Sequence, residues 1–335
     1  MKKLLSIMAM VAVIFATSCQ RVEDPTGLGT TSEVTFSVQS PDQLTRAIGD
    51  GSEAKNLIVA VYDKNGNYLD KVSPTSPTIG SGNHWDVTLS LVDGMVYDIV
   101  FWAQADGAPY SLNQNEKTLT VNYENAKAQD EKRDAFYAVV EDYEADGANT
   151  VAVKLTRPFA QLNIVTTDYT TAANSGVNVT TTGLKVSNLP TTMNLFSGDV
   201  SGSAEVVVFS DADIPTESHP SFTNTSDVEY TWLSMNYVLA SEEGDLISTV
   251  TLTGTTKEKD YRDIPVKRNF RTNIYGKILT SDVDFDVDTD QGFDGDEDIE
   301  VWDGESTAAP TPVDVDNDGT IDYYIKRTNH RGTQP

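Results

Sequence analysis

Short runs in which apolar and polar residues alternate, each closed by Gly, Asn, Asp or Ser, recur along almost the whole chain and constrain it to a β architecture. Val34, Phe36 and Val38 alternate with polar neighbours, as do Trp85, Val87 and Leu89. Residues 57–62 form an apolar run that stops at Asp63-Lys64-Asn65-Gly66-Asn67. That is a good hairpin turn, because Asn-Gly readily adopts positive φ, and Tyr68 and Leu69 begin the return strand. After a turn at Val92-Asp93-Gly94, residues 95–103 put Tyr97, Ile99 and Phe101 on one face and Val96, Val100 and Trp102 on the other, so both faces of this strand are expected to be covered. Residues 136–140 and 151–155 are strand-like, with an acidic turn over 141–147. The second half repeats the pattern at 159–165, 183–189, 204–209, 230–239, 246–252, 261–266 and 273–285. Only residues 125–133, rich in Ala, Lys, Glu and Gln and free of Gly and Pro, favour a short helix. Many short strands with so little helix between them predict an all-β fold of antiparallel sandwiches rather than a parallel sheet with crossover helices.

A chain of 335 residues is long enough for two such domains, since single domains commonly hold about 50–250 residues. Arg157-Pro158 marks the expected join, because proline cannot donate to a central ladder and a new series of strands begins at Phe159. The expected organisation is a leader over 1–19, an N-terminal sandwich over 20–157, a C-terminal sandwich over 158–303 and a tail over 304–335.

The leader has Lys2-Lys3, an apolar run over residues 4–15 and then Ala16-Thr17-Ser18-Cys19. The run is far shorter than the roughly 20 residues that span a bilayer, and small residues follow it, so it reads as an export signal. It resembles bacterial lipoprotein signals, in which the cysteine is acylated and becomes the first residue, although Ala16 stands where Leu is usual. Cys19 is the only cysteine, so the chain has no intramolecular disulfide and no cysteine-based metal cluster. Residues 20–32, polar and rich in Gly and Thr, form a tether.

A formal net charge of -27 argues against a nucleic-acid partner, which would need a basic surface. Catalysis finds little support either. His84, His219 and His330 are far apart, and there is no phosphate-cradling Gly-rich loop ahead of a helix, no nucleophile elbow and no His-Glu-x-x-His. The chain is therefore expected not to be an enzyme.

Carboxylates are most pointedly arranged at Asp314, Asp316, Asp318 and Asp322, which match positions 1, 3, 5 and 9 of a calcium loop, with Gly319 at the tight turn and the Thr320 carbonyl at position 7. Position 12 is Ile325, so the bidentate carboxylate is missing. A modest calcium site and a solvated acidic turn both remain open; no other cofactor is implied. The acidic run from 282 to 303 alternates with Val283, Phe285 and Val287, which is the pattern of a strand with one wet face.

Four passages together carry a family resemblance: the lipoprotein-like leader, the early strand followed by Leu44-Thr45-Arg46-Ala47, the stretch Leu155-Thr156-Arg157-Pro158-Phe159-Ala160-Gln161-Leu162, and Lys267-Arg268-Asn269-Phe270-Arg271-Thr272-Asn273-Ile274-Tyr275-Gly276. In this order and spacing they resemble the Bacteroidales-type fimbrillins, the lipoprotein-derived subunits of type V pili. The resemblance implies two transthyretin-like β-sandwich domains and an outer-membrane lipid anchor (acyl, such as palmitate) at Cys19. It also implies an arginine-specific protease that cuts between Arg46 and Ala47, discarding the strand that carries Val34, Phe36 and Val38. Polymerisation with other fimbrial subunits would follow by strand exchange, supporting adhesion. The donor is expected near the C-terminus, where Ile321, Tyr323 and Ile325 alternate more cleanly than Ile299 and Val301. The same residues also suit a last strand of their own subunit. Residues 268–276 read as a loop entering a core strand in which Ile274, Ile278, Val283 and Phe285 are buried and Gly276 permits a bulge or close approach. Stalk and tip positions are not separated by the sequence. The other functional class is a monomeric surface lipoprotein that binds a glycan or a host protein through its loops.

Overall fold

The computed structural model describes residues 29–41, 49, 51–72, 78–79, 84–215, 230–280, 285–290, 298–301, 311–313 and 323–328. The fold is all-β and largely antiparallel, organised in two sheet clusters as tandem β-sandwiches. In the first half the strands are β1 (Thr31–Gln39), β2 (Asn56–Asp63), β3 (Thr78–Ile79), β4 (His84–Val92), β5 (Val96–Gln104), β6 (Tyr110–Asn113), β7 (Thr118–Val121), β8 (Ala135–Glu144) and β9 (Thr150–Lys154). One sheet runs β3-β4-β1-β9 and the other β2-β5-β8. Their facing sides bury Val34, Phe36 and Val38 of β1, Trp85, Val87, Leu89 and Leu91 of β4, and Ile99 and Phe101 of β5. The period-two pattern of β4 is realised residue by residue, since every second side chain from Trp85 is buried. At the end of β2 the expected turn forms: Asp63 N–H donates to the Asn67 carbonyl, Gly66 N–H to the Asp63 carbonyl, and Gly66 sits at φ 77°.

The second half comprises β10 (Phe159–Thr166), a short helix α1 (Tyr169–Asn174), β11 (Thr181–Leu189), β12 (Thr192–Asn194), β13 (Val200–Ser201), β14 (Ala204–Asp213), β15 (Thr231–Leu239), β16 (Asp245–Thr253), β17 (Lys259–Val266), β18 (Arg271–Gly276) and β19 (Phe285–Asp290). Its sheets run β15-β10-β18-β19 and β14-β11-β16-β17. The two halves repeat one topology. In each, the opening strand (β1 or β10) lies between an antiparallel partner (β4 or β15) and a parallel strand from late in the half (β9 or β18), while β2-β5-β8 is matched by β11-β16-β17. The inward residues correspond as well: Val34, Phe36 and Val38 in one half, Ala160, Leu162 and Ile164 in the other, all fully buried.

A further sheet, β6-β7-β12-β13, takes two strands from each half and pairs Met193 with Leu119. It lies in the same buried cluster as Ala60, Tyr62, Val100 and Trp102, the side chains on the outer face of β2 and β5, and this cluster continues into the core of the second half. Both faces of β5 are thus covered, as its sequence requires. The last described strands are β20 (Asp298–Val301), β21 (Thr311–Val313) and β22 (Tyr323–Thr328), with β22 in the middle and antiparallel to both neighbours.

Three expectations are corrected. Residues 125–133 contain only a 3-10 turn over Glu131–Arg133. Buried Ala126 and Ala128 instead flank the main chain of Ser210, with Ala128 N–H donating to its carbonyl and its N–H donating to Ala126, and Asn125 and Gln129 adopt positive φ. Residues 273–285 are not one strand, because β18 ends at Gly276 and β19 begins at Phe285 and pairs back on it. Nor are the sandwiches wholly antiparallel, since β1–β9 and β10–β18 are parallel pairs.

Candidate functional site

Around β1 the N-terminal sheet is built as a socket. The strand pairs antiparallel with β4 from Thr31↔Val92 to Gln39↔His84 and parallel with β9 from Thr35↔Thr150 to Gln39↔Lys154. Main-chain bonds at its ends complete the parallel ladder: Thr35 N–H donates to Asn149 O at 2.9 Å and Leu155 N–H to Gln39 O at 2.8 Å. Inward, the Phe36 ring meets Phe101 at 5.5 Å, tilted by 47°, and Tyr143 edge-on at 5.4 Å and 68°. Outward, Thr35 and Thr88 hydroxyls lie 3.2 Å apart, and Ser37 faces His84. Loss of a central strand of this kind would leave β4 and β9 about 9.6 Å apart with unpaired edges facing each other.

Downstream of β1 the chain is seated again at Gly49. Its N–H donates to both carboxylate oxygens of Glu131 at 3.2 Å, and its carbonyl accepts from Arg157 Nη2 at 2.7 Å. Arg157 is also bidentate with Asp134, Nε to Oδ1 and Nη2 to Oδ2, each at 2.8 Å. Both side chains are buried, where a fork-to-carboxylate pair is what makes burial of two charges tolerable. Burial pushes the Asp134 carboxyl up, and the Arg157 guanidinium pulls the other way. Gly49 has φ 81°, and a Cβ there would collide with Gln161 Nε2; Gly51 has φ 71°, and a Cβ there would run into the Phe136 ring. Only glycine fits either place.

The polar cluster crosses between the halves. Tyr237 of β15 donates to Glu131 Oε2 at 3.2 Å, Gln161 of β10 donates to the Tyr237 hydroxyl at 3.3 Å, and Arg271 of β18 donates to Gln161 Oε1 at 3.1 Å. Burial drives the Tyr237 hydroxyl well above its ordinary value, with the nearby Asp134 and Glu131 carboxylates adding to the effect. Arg268 adds a second tie, donating to Tyr137 of β8 at 3.1 Å and to the carbonyls of Ala240 and Gly198. Arg157-Pro158 is therefore a buried crossing. Sequence reasoning missed Gly49, Glu131, Asp134 and Tyr237 as a set, since their partners lie up to 108 residues apart. The visible signal was the charged stretch 130–134 just ahead of an apolar strand.

Of the residues singled out in the sequence, Val34, Phe36 and Val38 are brought together in the socket, and Ile274 and Ile278 are buried as expected. Cys19, Arg46, Ala47, the acidic run Asp314, Asp316, Asp318, Thr320 and Asp322, Ile321 and Val283 lie outside the described residues. Tyr323 and Ile325 fall in β22, opposite Val313 and Thr311 respectively. His84 opens β4 beside Asp86 at 3.1 Å, and His219 and His330 lie outside the described residues. Among the described residues no group of three or more His, Cys, Asp or Glu is placed to hold a metal ion, and no helix is long and apolar enough to cross a membrane.

The fold and socket define a tandem β-sandwich protein whose opening strand is an inserted, central one. The chain belongs to the family described as "Family of unknown function (DUF6562)", whose model matches residues 25–322. No curated protein matches it. Among solved structures it is similar to the fimbrial anchor protein Mfa2 from Porphyromonas gingivalis, at 13% identity, covering 79% of this chain and 99% of that one, with a TM-score of 0.42. It is also similar to a fimbrial assembly protein from Parabacteroides distasonis, at 14% identity, covering 79% of this chain and 97% of that one, with a TM-score of 0.40.

Proposed function

We propose that this chain is the precursor of a fimbrial subunit on the bacterial outer membrane, a structural and adhesive protein without catalytic activity. It is exported, acylated at Cys19 and cut by an arginine-specific protease between Arg46 and Ala47. The cut severs the anchor and β1 from the rest of the chain, and the socket that β1 vacates on leaving takes a strand from another subunit. One observation carries this reading: the strand lost by such a cut is central in its sheet, between β4 and β9, with Val34, Phe36 and Val38 fully buried against the facing sheet. A vacated central position is a stronger template for a foreign strand than an ordinary edge, because it offers two ladders and a row of apolar sockets.

The socket also states what the donor must be. Aliphatic, aromatic and aliphatic side chains must fall at alternate positions, as Val34, Phe36 and Val38 do. Ile321, Tyr323 and Ile325 repeat that order, with Asp322 and Tyr324 in the outward places of Thr35 and Ser37. Donation would require β22 to leave β20 and β21. The first step is tested by treating purified precursor with an arginine-specific protease and sequencing the product. The expected new terminus is Ala47; any other terminus, or resistance at Arg46, overturns the processing scheme.

A further inference from the structure

We propose that Glu131, Asp134 and Arg157 act as a main-chain clamp that holds the processed N-terminus at the join of the two halves, so that a subunit that has lost β1 cannot refill the socket with the segment that follows the cut. The inference rests on the processing reading above.

Between the cut and β2 the processed chain would begin with residues 47–55. Left free, this segment would compete intramolecularly with any donor, at an effective concentration that short tethers raise to about millimolar. Gly49 removes that freedom. Its N–H and carbonyl are both taken, by Glu131 and by Arg157, and its lack of a side chain lets it lie against Gln161 and Tyr237. Ahead of it only residues 47 and 48 would remain, a reach of about 7 Å when extended. That is too short to run along the nine residues of β1. The clamp itself is braced: Asp134 fixes the Arg157 fork, and Tyr237 ties Glu131 to β15. Gly51 is held in turn against Phe136, and its carbonyl accepts from Ala54 N–H at 3.1 Å, which adds a second fixed point ahead of β2.

Hydrogen exchange followed by mass spectrometry on residues 49–56, in the precursor and in the processed protein, tests the clamp. Equal protection in both is expected, and protection that disappears on cleavage overturns it. Gly49→Val, which has neither the φ nor the room it needs, should raise exchange in this segment by at least about tenfold, the equivalent of one lost hydrogen bond to a charged group. In processed protein freed of β1 the same variant should take up a synthetic peptide of residues 29–41 several times more slowly than the parent, and unchanged uptake overturns the refilling argument. Should Gly49→Val fail to fold, Glu131→Gln gives a milder release with the same direction expected in both readouts. The mass of the cleavage product is read first. A terminus other than Ala47 counts against the processing reading, whereas correct processing with a loosened 49–56 segment counts against the clamp alone.

Discussion

Phe36→Ala in the precursor should weaken the N-terminal sandwich by about 3–5 kcal/mol, the usual cost of emptying a fully buried phenylalanine site. The upper part of that range applies here. The ring is fully buried, it contacts both Phe101 and Tyr143, and both neighbours belong to the facing sheet β2-β5-β8, which cannot close over the gap without breaking ladder bonds. The same substitution acts on release. Three buried side chains at about 1.5–3 kcal/mol each hold β1 after its covalent link is cut, so a nicked parent retains the strand until a competitor arrives. Removal of the phenyl group should therefore speed its loss by at least about a hundredfold, at 1.4 kcal/mol per factor of ten. Denaturant unfolding followed by tryptophan fluorescence reads the first effect, because Trp85 lies opposite Val38 in the β1–β4 ladder. Size-exclusion chromatography of nicked protein, with mass detection of the freed peptide, reads the second. A variant within about 1 kcal/mol of the parent, releasing β1 at the parental rate, would refute the idea that the socket is what holds the strand.

Deleting residues 320–335 should leave a folded, cleavable monomer that cannot elongate, and normal polymers from that truncation rule out the donor assignment. Tyr323→Ser should slow elongation while leaving cleavage after Arg46 unchanged; equal rates of elongation would show that the aromatic site is filled by another segment. Asp168→Asn should cost about 1.5–3 kcal/mol at neutral pH, measured by chemical denaturation, because the carboxylate accepts from Thr280 N–H at 2.7 Å, Leu279 N–H at 3.2 Å and the Thr166 and Thr280 hydroxyls. Burial works to raise that carboxyl, but these donors outweigh it and hold it below its ordinary value, so the stabilisation is present above the unfolded value of 3.8 and the gap between parent and variant should close as pH falls below it. Tyr62 and Tyr123 are each pushed up to about 12 by burial, so stability should hold up to pH 10.0, the ordinary value, and fall as pH rises from there towards 12; a Tyr62→Phe, Tyr123→Phe variant that loses as much stability as the parent over that range would contradict this.

Local pattern was enough to read most strands. The alternation in β1 and β4, the Asn65-Gly66 turn and the double-sided β5 all follow from side-chain period and turn chemistry. What the pattern could not contain is pairing at long range. β1 finds β9 across more than a hundred residues, and the equivalent parallel pair β10–β18 is just as remote. Composition misled at residues 125–133, where good helix formers are drawn into extended contact with Ser210 of β14 and Met235 of β15. The short strands β6, β7, β12 and β13 carry too few residues for a period to declare itself, and they exist because the outer face of β2 and β5 needs a cover. For the site, the inward triad of β1 was visible, but not its central place in the sheet, nor the seat of Gly49, which depends on Arg157 and Asp134 lying beside it in the fold.

Electrophoresis of the processed protein without boiling tests strand exchange most directly. Processed subunits incubated at high concentration should run as a ladder that resists mild detergent and collapses to one band on heating, with fibres in negative stain. A single band at monomer mass, from protein whose N-terminus is Ala47 and whose β1 has been removed, would contradict the account.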